Sequence, residues 1–447
     1  MHGDARLGAL LALGLAACVS GEGQSDPLAP TDRFYFPIGI ALAKPAGATT
    51  SLLVASSNFD LRYSATEGGT LLSVDPTDPL KAPDHGAVIP SGVERIGSYA
   101  GQVAAVDARC AAATREEAFV SSRFDGVFYR FGLGADGSLS CDGGCETRFS
   151  SFLRDPFAVA VACRAAGPRA YVGFLDTPTA SSQYGDGAWI AELDLGSGAL
   201  RELEVGDGPV RALAYDEGAD RLWMASRSSG PRALLHTVLL SDAAWGGASP
   251  RDAVESYDLF SALGVRGAEL RAVAVGSPPA AAGDPQRLYV TARLYDAEYQ
   301  DSSGNRPSAE IAGVLVVLDV LDTKSARPTV VVSDVVDVGL GAQDVAVVRR
   351  IGKRDAVVVA VTSENKVVVW DDQAGYVAAE LGRDPSTGAP DLARSPVALA
   401  VDQAGAGAAA TIYVAAFDDH DVATFSIADP AKPWAVVEGK RVGGLSP

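Results

Sequence analysis

The chain is predicted to be an all-β protein, a seven-bladed β-propeller built from four-stranded antiparallel blades. Three observations predict this fold. One short apolar run recurs seven times along the chain, a second run of small residues precedes it each time, and segments rich in Gly, Pro and Asp separate the runs. Helical periodicity is almost absent, and short β-branched runs between turn residues are typical of strands.

The recurring run is the second strand of each predicted blade. It reads "LLVAS" at 52, "AFVSS" at 118, "AYVGF" at 170, "LWMAS" at 222, "LYVTA" at 288, "VVVAV" at 357 and "IYVAA" at 412. The first strand of each blade reads "GIALA" at 39, "VAAVD" at 103, "AVAVA" at 158, "RALAY" at 211, "RAVAV" at 271, "DVAVV" at 344 and "VALAV" at 397. Its small residues suit a crowded strand near an axis. Third strands follow each time, as in "VLVVLD" at 314, and outer strands such as "LRELEV" at 200 precede the next unit.

The repeat spacing favours a closed ring. Successive units lie 52 to 69 residues apart, which suits propeller blades. A two-domain sandwich and an open solenoid are alternatives that fit the sevenfold count less well. The segment "WAVVEGKRV" at 434 is expected to be the outer strand of the last blade, and "DRFYF" at 32 is expected to add to the same sheet. The two chain ends would then meet and leave no exposed edge.

The first residues predict export. "MHGDARLGALLALGLAAC" has a short charged start, an apolar run and small residues before a cysteine, which is the pattern of a signal peptide over 1–17 and is too short for a membrane span. Residues 18–31 are polar and contain Gly and Pro, as expected of a flexible tether, so that the propeller would occupy 32–447.

Cys18 is the predicted lipidation site. "LAAC" resembles a bacterial lipobox, in which the chain is cut before the cysteine and the cysteine carries lipid. This resemblance implies a lipoprotein held to the membrane through lipid only, and Val19 in place of Asp implies the outer membrane, on its periplasmic or its surface face. The alternative is an ordinary signal peptide cut near Ala17, with Cys18 as an odd thiol.

The remaining four cysteines are an even set that suits an oxidising compartment. Three pairings are open to Cys110, Cys141, Cys145 and Cys163. Asp142-Gly143-Gly144 is a turn signal, which favours Cys141 with Cys145 across a tight hairpin and leaves Cys110 with Cys163. The spacing is neither a redox nor a zinc motif, so the cysteines are interpreted as structural.

The charge and composition argue against nucleic acid as a partner. The formal net charge is −19, and aromatic residues make up only 7% of the chain. An acidic surface repels phosphates, and few aromatics are available to stack on bases. The chain has no GxSxG, HExxH, CxxCH or Walker motif, so no catalytic residue is assigned from the sequence.

The repeats resemble a known propeller family. "GPVRALAYDEGADRLWMAS", "DPQRLYVTA" and "SPVALAVDQAGAGAAATIYVAA" look like YVTN-type repeats, with Pro, two residues, Ala-Val, a turn and then Tyr-Val. The likeness covers residues 37 to 447. It implies the propeller fold, and it implies little about function, because propellers of this kind include binding proteins, lactonases and quinoprotein dehydrogenases.

Acidic residues at the second hairpin of several blades are the candidate ligand site. They often follow an aromatic residue, as in Phe59-Asp60, Phe124-Asp125, Tyr295-Asp296 and, one residue further on, Phe174 with Asp176; in the last blade the run is Asp418, Asp419, His420 and Asp421. Hairpins at this position would ring one mouth of the central channel. Oxygen ligands suit Ca²⁺ or an amine, whereas the simpler interpretation is that each Asp accepts backbone N–H bonds in its own turn.

Two classes of function follow from these patterns, besides a purely structural role in an envelope complex, for which no residues would converge at the mouth. The first is a lipid-anchored binding or scaffolding module of the cell envelope, whose partner is an envelope protein or a small ligand of unknown identity. The alternative is a lactonase-like hydrolase or quinoprotein-like dehydrogenase with a divalent ion held by carboxylates at the channel mouth. The scarcity of histidine argues against the second class, since the chain has only four.

Overall fold

The computed structural model describes residues 27–47, 50–76, 88–141, 143–177, 187–227, 233–247, 249–259, 267–279, 281, 283–295, 310–383, 386–387 and 393–442. The predicted signal peptide, Cys18, most of the tether and Asp296 lie outside the described residues. Within these ranges, no helix is both long enough and apolar enough to cross a membrane.

The described strands form seven antiparallel sheets, which confirms the predicted fold class. Blade 1 contains β1 (Pro37–Ala43), β2 (Ser51–Ser56), β3 (Gly69–Val74) and β4 (Val88–Ile96); blade 2 contains β5 (Ala100–Val106), β6 (Glu117–Ser122), β7 (Val127–Leu133), β8 (Leu139–Ser140) and β9 (Glu146–Arg148). Blade 3 contains β10 (Arg154–Arg164), β11 (Gly167–Asp176), β12 (Gly187–Asp194) and β13 (Leu200–Asp207); blade 4 contains β14 (Val210–Asp216), β15 (Arg221–Ser226), β16 (Leu234–Leu239) and β17 (Val254–Asp258), preceded by a short 3-10 helix (Pro250–Ala253).

The last three blades follow the same order, with the first strand of each nearest the axis. Blade 5 contains β18 (Gly267–Val275), β19 (Gln286–Tyr295), β20 (Glu310–Leu321) and β21 (Thr329–Asp337). Blade 6 contains β22 (Ala342–Val348), β23 (Ala356–Val361), β24 (Lys366–Asp371) and β25 (Tyr376–Leu381), and blade 7 contains β26 (Pro396–Gln403), β27 (Ala410–Ala416), β28 (Asp421–Ile427) and β29 (Val436–Val442). Each inner strand contacts the inner strands of both neighbouring blades, and β26 contacts β1.

The core is divided into seven clusters, one between each pair of adjacent blades. The second strands lie in the middle of these layers, and every residue of β2, β6, β15 and β23 is buried. A strand covered on both faces has no reason to alternate polar with apolar residues, which explains the continuous apolar runs. Stability is therefore assembled blade by blade, as in other repeat architectures.

The ring closes by packing and not by a shared strand. The seventh sheet contains only β26 to β29, and residues 32–36 form no strand, so the expectation that "DRFYF" adds to that sheet is wrong. Phe34 instead packs in the cluster between blades 7 and 1 together with Val442 of β29. The Phe36 backbone N–H donates to Nδ1 of His420 at 2.9 Å, which ties the first blade to the last.

Both predicted cysteine pairs lie at disulfide distance. Cys110 and Cys163 have Cα atoms 5.3 Å apart and join blade 2 to blade 3, whereas the Cα atoms of Cys141 and Cys145 are 5.4 Å apart. The turn signal predicts that Cys141 and Cys145 lie across a tight hairpin, but the described residues show no hairpin between them. β8 and β9 both pair with β7 and together form the outer strand of blade 2. The disulfide links the two ends of the loop that separates them.

Candidate ligand site at the channel mouth

A β-bulge near the start of every inner strand builds the channel lining. The strand register shifts once in each blade at this point. A bulge leaves one residue unpaired and re-aims its side chain. The residues at the shifts, here called the bulge ring, line one cavity of about 180 Å³ at the centre of the seven inner strands: Ile38, Gln102, Phe157, Arg211, Arg271, Gln343 and Val397.

Arg211 is the residue of the bulge ring that lacks a polar partner. Its side chain is 8% exposed, and no group among the described residues accepts a hydrogen bond from its buried Nε. Its guanidinium carbon lies 3.8 Å from the centroid of the Phe157 ring, a cation–π contact that orients the group. Burial lowers the pKa of Arg211, and the nearby charges of Arg271 and Arg123 lower it further. Arg211 is therefore a buried positive charge whose Nε has no acceptor among the described residues, inside a strongly acidic protein.

Arg271, in contrast, is well partnered. Its Nε and Nη2 donate to Oε1 of Gln343 at 3.1 and 2.6 Å, and its Nη1 donates to Glu269 at 3.1 Å. Glu269 also accepts from Arg227 at 3.0 Å. Burial would raise the pKa of Glu269, but the guanidinium groups of Arg271 and Arg227 outweigh burial and lower it. Glu269 thus stays ionised and fixes the direction in which Arg271 points.

Asp344 is the carboxylate in the cavity lining. Both of its oxygens accept backbone N–H groups, from Leu399 at 2.7 Å and from Val345 at 2.9 Å. Burial raises the pKa of Asp344 to about 6, although these hydrogen bonds and Arg211 oppose the rise. The backbone N–H groups fix the direction of the Asp344 carboxylate, and its charge interacts with that of Arg211.

A row of exposed and half-buried aromatic rings borders the same mouth. This aromatic ledge consists of Phe36, Phe59, Tyr99, Phe124 and Phe417. Ring centroids are 4.9 Å apart for Phe36 and Phe417, 5.3 Å for Phe59 and Phe417, 6.0 Å for Phe59 and Tyr99, and 6.3 Å for Tyr99 and Phe124. Phe59 is 55% exposed and Phe124 is 49% exposed, which is unusual for large apolar side chains set side by side.

Two rings of the ledge are held by unusual backbone conformations. Phe36 and Tyr99, each immediately before an inner strand, have φ angles of 45° and 55°. The left-handed region costs a bulky residue on the order of 1–2 kcal/mol. The surrounding structure enforces it, since the Tyr99 N–H donates to the Ser57 carbonyl at 2.7 Å. The same left-handed conformation occurs at Gly341 and Ser395, directly before β22 and β26, so it belongs to the entry into the inner strands and fixes where the two rings point.

The ledge and the bulge ring meet in one hollow of about 370 Å³. Phe59, Tyr99 and Phe417 contribute apolar surface to its lining. Arg211 and Arg271 of the bulge ring line the same hollow. The arrangement can hold a ligand that has an apolar part and an anionic part, because each part meets a surface of complementary chemistry.

The predicted acidic residues are engaged with near neighbours. Asp60 accepts the Arg62 N–H at 3.2 Å and pairs with the Arg62 guanidinium, also at 3.2 Å. Asp125 accepts the Tyr129 hydroxyl at 2.9 Å, while its other oxygen is buried without a partner. Asp176 is exposed at the end of β11. The hydrogen bonds at Asp60 are those of an ordinary turn.

The run from Asp418 to Asp421 occupies the β27–β28 hairpin. Asp418 borders the hollow and accepts the Ser395 hydroxyl, whereas Asp419 is buried and pairs with Arg394. His420 adopts a left-handed conformation with a φ of 56° and accepts the backbone N–H of Phe36. The hairpin therefore closes the ring, and the histidine has a structural partner.

Asp421 is the most perturbed acid of this group. It is fully buried, and burial raises its pKa to about 7, partly offset by Arg441 at 3.3 Å. Among the described residues, no three His, Cys, Asp or Glu side chains form a group that could hold a metal ion. A calcium site at the mouth stays a prediction, as does the enzymatic alternative that depends on it.

Sequence reasoning missed the arginines and undervalued the aromatics. Arg211 and Arg271 are the first residues of "RALAY" and "RAVAV". Both lie at the β-bulge, and the sequence does not reveal where a bulge occurs. Phe59 and Phe124 were noted only as companions of Asp60 and Asp125. The available signal was the bulky or charged residue that precedes the run of small residues in each inner strand.

Comparisons with known proteins show the fold and no family. No family model matches the chain, and no curated protein matches it. Hydrazine synthase from Kuenenia stuttgartiensis has a TM-score of 0.55 at 13% identity, over 91% of this chain and 98% of that chain. Sqt1 from Chaetomium thermophilum has a TM-score of 0.52 at 14% identity, over 94% of this chain and 89% of that chain.

A further similar structure is the β-propeller domain of Cps50 (Swd1) from Myceliophteria thermophila. Its TM-score is 0.50 at 9% identity, over 90% of this chain and 99% of that chain. Similarity at such low identity shows the β-propeller architecture alone. The YVTN-type repeat and the lipoprotein signal therefore stay predictions.

Proposed function

We propose that this protein is a non-catalytic binding module, held at the cell envelope by lipid on Cys18, that captures a protein partner at the mouth of its channel. The observation that carries the proposal is the aromatic ledge, whose exposed rings lead directly into the hollow above the bulge ring. Exposed aromatics beside a charged pocket are the typical composition of binding hot spots.

Charge complementarity indicates the chemistry of the partner. Arg211 is buried, its Nε has no acceptor in the part of the chain that the structure describes, and the ledge beside it is apolar. A polypeptide segment with an apolar side chain and an anionic group satisfies both surfaces. A similar propeller, Sqt1 from Chaetomium thermophilum, was solved bound to the N-terminus of ribosomal protein L10, which supports capture of a short segment by this architecture.

Site-specific photo-crosslinking tests the binding surface. p-Benzoylphenylalanine in place of Phe59 is expected to give discrete adducts in intact cells, at least tenfold above those from the same probe in place of Ile351. Ile351 is a matched control, because it is 76% exposed on the β22–β23 loop at the opposite face of the ring. Equal adduct patterns at the two positions, or none at Phe59, would refute a binding role for the mouth.

The lipid anchor is tested separately through Cys18. In a Gram-negative host, the wild-type chain is expected to enter the detergent phase on phase partitioning and to carry the mass of attached lipid. Cys18→Ala removes the thiol that would be acylated, so at least nine-tenths of the protein should move to the aqueous phase. Ser20→Ala serves as the control and should behave as wild type. Detergent partitioning of Cys18→Ala would show that the protein is not anchored through this cysteine.

A further inference from the structure

We propose that the cavity enclosed by the bulge ring binds the carboxylate of a ligand whose apolar group lies on the aromatic ledge, with Arg211 as the residue that recognises the anion. The inference rests on the proposed function and specifies the ligand chemistry. Such a carboxylate is supplied by the C-terminus of a polypeptide or by a free small acid, and the experiment below distinguishes the two.

The state of Arg211 is the first support. An arginine that is only 8% exposed normally has a carboxylate or several carbonyl partners, since burying an unpaired charge is costly. Among the described residues, Arg211 contacts the face of Phe157, and none of them accepts a hydrogen bond from its Nε. A planar anion that enters the cavity would supply the missing acceptors, and guanidinium groups bind carboxylates in this way.

The other polar side chains around the cavity have hydrogen-bond partners within the protein. Gln343 and Glu269 consume the donors of Arg271, so that its charge is balanced inside the protein. The oxygens of Asp344 are turned to backbone N–H groups of Leu399 and Val345. Because Arg227 shares Glu269 with Arg271, three arginines (Arg211, Arg227 and Arg271) stand against two carboxylates (Glu269 and Asp344), and one positive charge stays unbalanced around the cavity.

A single unbalanced charge favours a monoanion. Asp344 lines the cavity and Asp418 borders the hollow, and their repulsion is about twice as large for a phosphate dianion as for a monoanion. Ile38, Val397 and Phe157 make the remaining wall apolar, which disfavours a strongly hydrated anion. A carboxylate attached to an apolar group fits both conditions.

Calorimetric titration of the full chain with matched probes tests the inference. N-acetyl-phenylalanine carries the carboxylate and an aromatic group, and N-acetyl-phenylalaninamide differs only by lacking the charge. The acid is expected to bind at least tenfold more tightly than the amide, as a charge-assisted hydrogen bond of about 1.5–3 kcal/mol implies. Equal affinity for the two, or tighter binding of inorganic phosphate, would overturn the inference.

Substitutions assign the effect to one side chain. Arg211→Gln keeps a polar group of similar length and is expected to reduce affinity for the acid at least tenfold without changing affinity for the amide. Arg327→Gln, at a 79% exposed side chain outside the channel, is the control and should bind as wild type. Unchanged binding of the acid by a folded Arg211→Gln variant, verified by circular dichroism, would overturn the inference. If Arg211→Gln does not fold, wild-type protein labelled with ¹⁵N-arginine is titrated with the acid instead. A shift of one arginine Nε–H signal supports the inference, and no shift of any arginine Nε–H signal would overturn it.

A peptide that ends in phenylalanine, with a free or an amidated C-terminus, separates the two sources of carboxylate. A free-acid peptide that binds at least tenfold more tightly than N-acetyl-phenylalanine identifies a polypeptide C-terminus, and equal binding identifies a small acid. Failure of the carboxylate preference together with persistent adducts at Phe59 would overturn this inference and leave the proposed function intact. No adducts at Phe59 together with a preserved preference for the carboxylate would refute the proposed function and leave the carboxylate site intact.

Discussion

Replacing Asp371 by alanine is expected to lower the free energy of unfolding by about 3–5 kcal/mol, the range for removing one partner of a buried ion pair. Asp371 of β24 accepts a hydrogen bond from Arg350, and the two side chains are only 5% and 3% exposed. The carboxylate also accepts the backbone N–H of Gln373 at 2.9 Å. Without Asp371, the buried Arg350 guanidinium keeps only the carbonyl oxygens of Arg354 and Asp355 and has no carboxylate to balance its charge, and the Gln373 N–H loses its acceptor.

Urea denaturation of the Asp371→Ala protein measures this loss. Glu146→Ala is the control, because its pair with Arg148 is exposed and should contribute no more than about 1 kcal/mol. Burial opposes the shift, but Arg350 outweighs it and holds the pKa of Asp371 below its ordinary value of 3.8. The pair therefore stabilises the protein above that pH and loses its effect as the pH falls through the lower, folded pKa. Equal destabilisation by the two variants would contradict the buried pair.

Removing the Cys110–Cys163 disulfide is expected to cost about 4 kcal/mol. The two cysteines are 53 residues apart in the chain, and a cross-link across a long loop restricts the unfolded state strongly. The bond also joins two neighbouring blades, so its loss frees the loop after β5 from β10. The double variant Cys110→Ala/Cys163→Ala should show the loss in non-reducing denaturation.

The second disulfide supplies an internal control. Cys141 and Cys145 are only 4 residues apart, and a loop this short predicts a contribution of about 2 kcal/mol. Cys141→Ala/Cys145→Ala should therefore be destabilised by roughly half as much. A larger effect of the short loop than of the long one would show that loop length does not govern these cross-links.

The fold could be predicted from the sequence because the burial of each strand leaves a direct mark on its composition. "VVVAV" of β23 and "LLVAS" of β2 are covered on both faces by neighbouring blades, so they are continuous apolar runs. Ring closure was harder to predict. Phe34 lies in the segment "DRFYF", which resembles a strand, yet residues 32–36 form no strand and Phe34 packs in the core between blades 7 and 1. Local pattern does not separate these two outcomes.

The binding site could be predicted only in part, for a physical reason. The turn residues Phe59 and Phe124 were visible because an aromatic followed by Asp recurs at corresponding hairpins. Arg211 and Arg271 belong to different blades, and only closure of the ring brings them to one cavity. Their direction depends on the bulge, a feature of strand register that composition does not record.

The site also accounts for how an acidic protein could select an anion. The overall charge of −19 repels anions at long range, whereas the short-range contacts at Arg211 attract them. Only a ligand whose apolar part binds the ledge would reach the guanidinium often enough to be held. The two surfaces together thus favour ligands of mixed character over simple salts.

A crystal structure of the protein with N-acetyl-phenylalanine tests the central claim most directly, namely that seven inner-strand bulges build a carboxylate site on the axis of a closed ring. The account predicts a carboxylate oxygen within about 3 Å of the Arg211 guanidinium and the phenyl ring against Phe59 and Phe417. A channel that holds only water at saturating ligand, or a ligand bound away from Arg211, would contradict it.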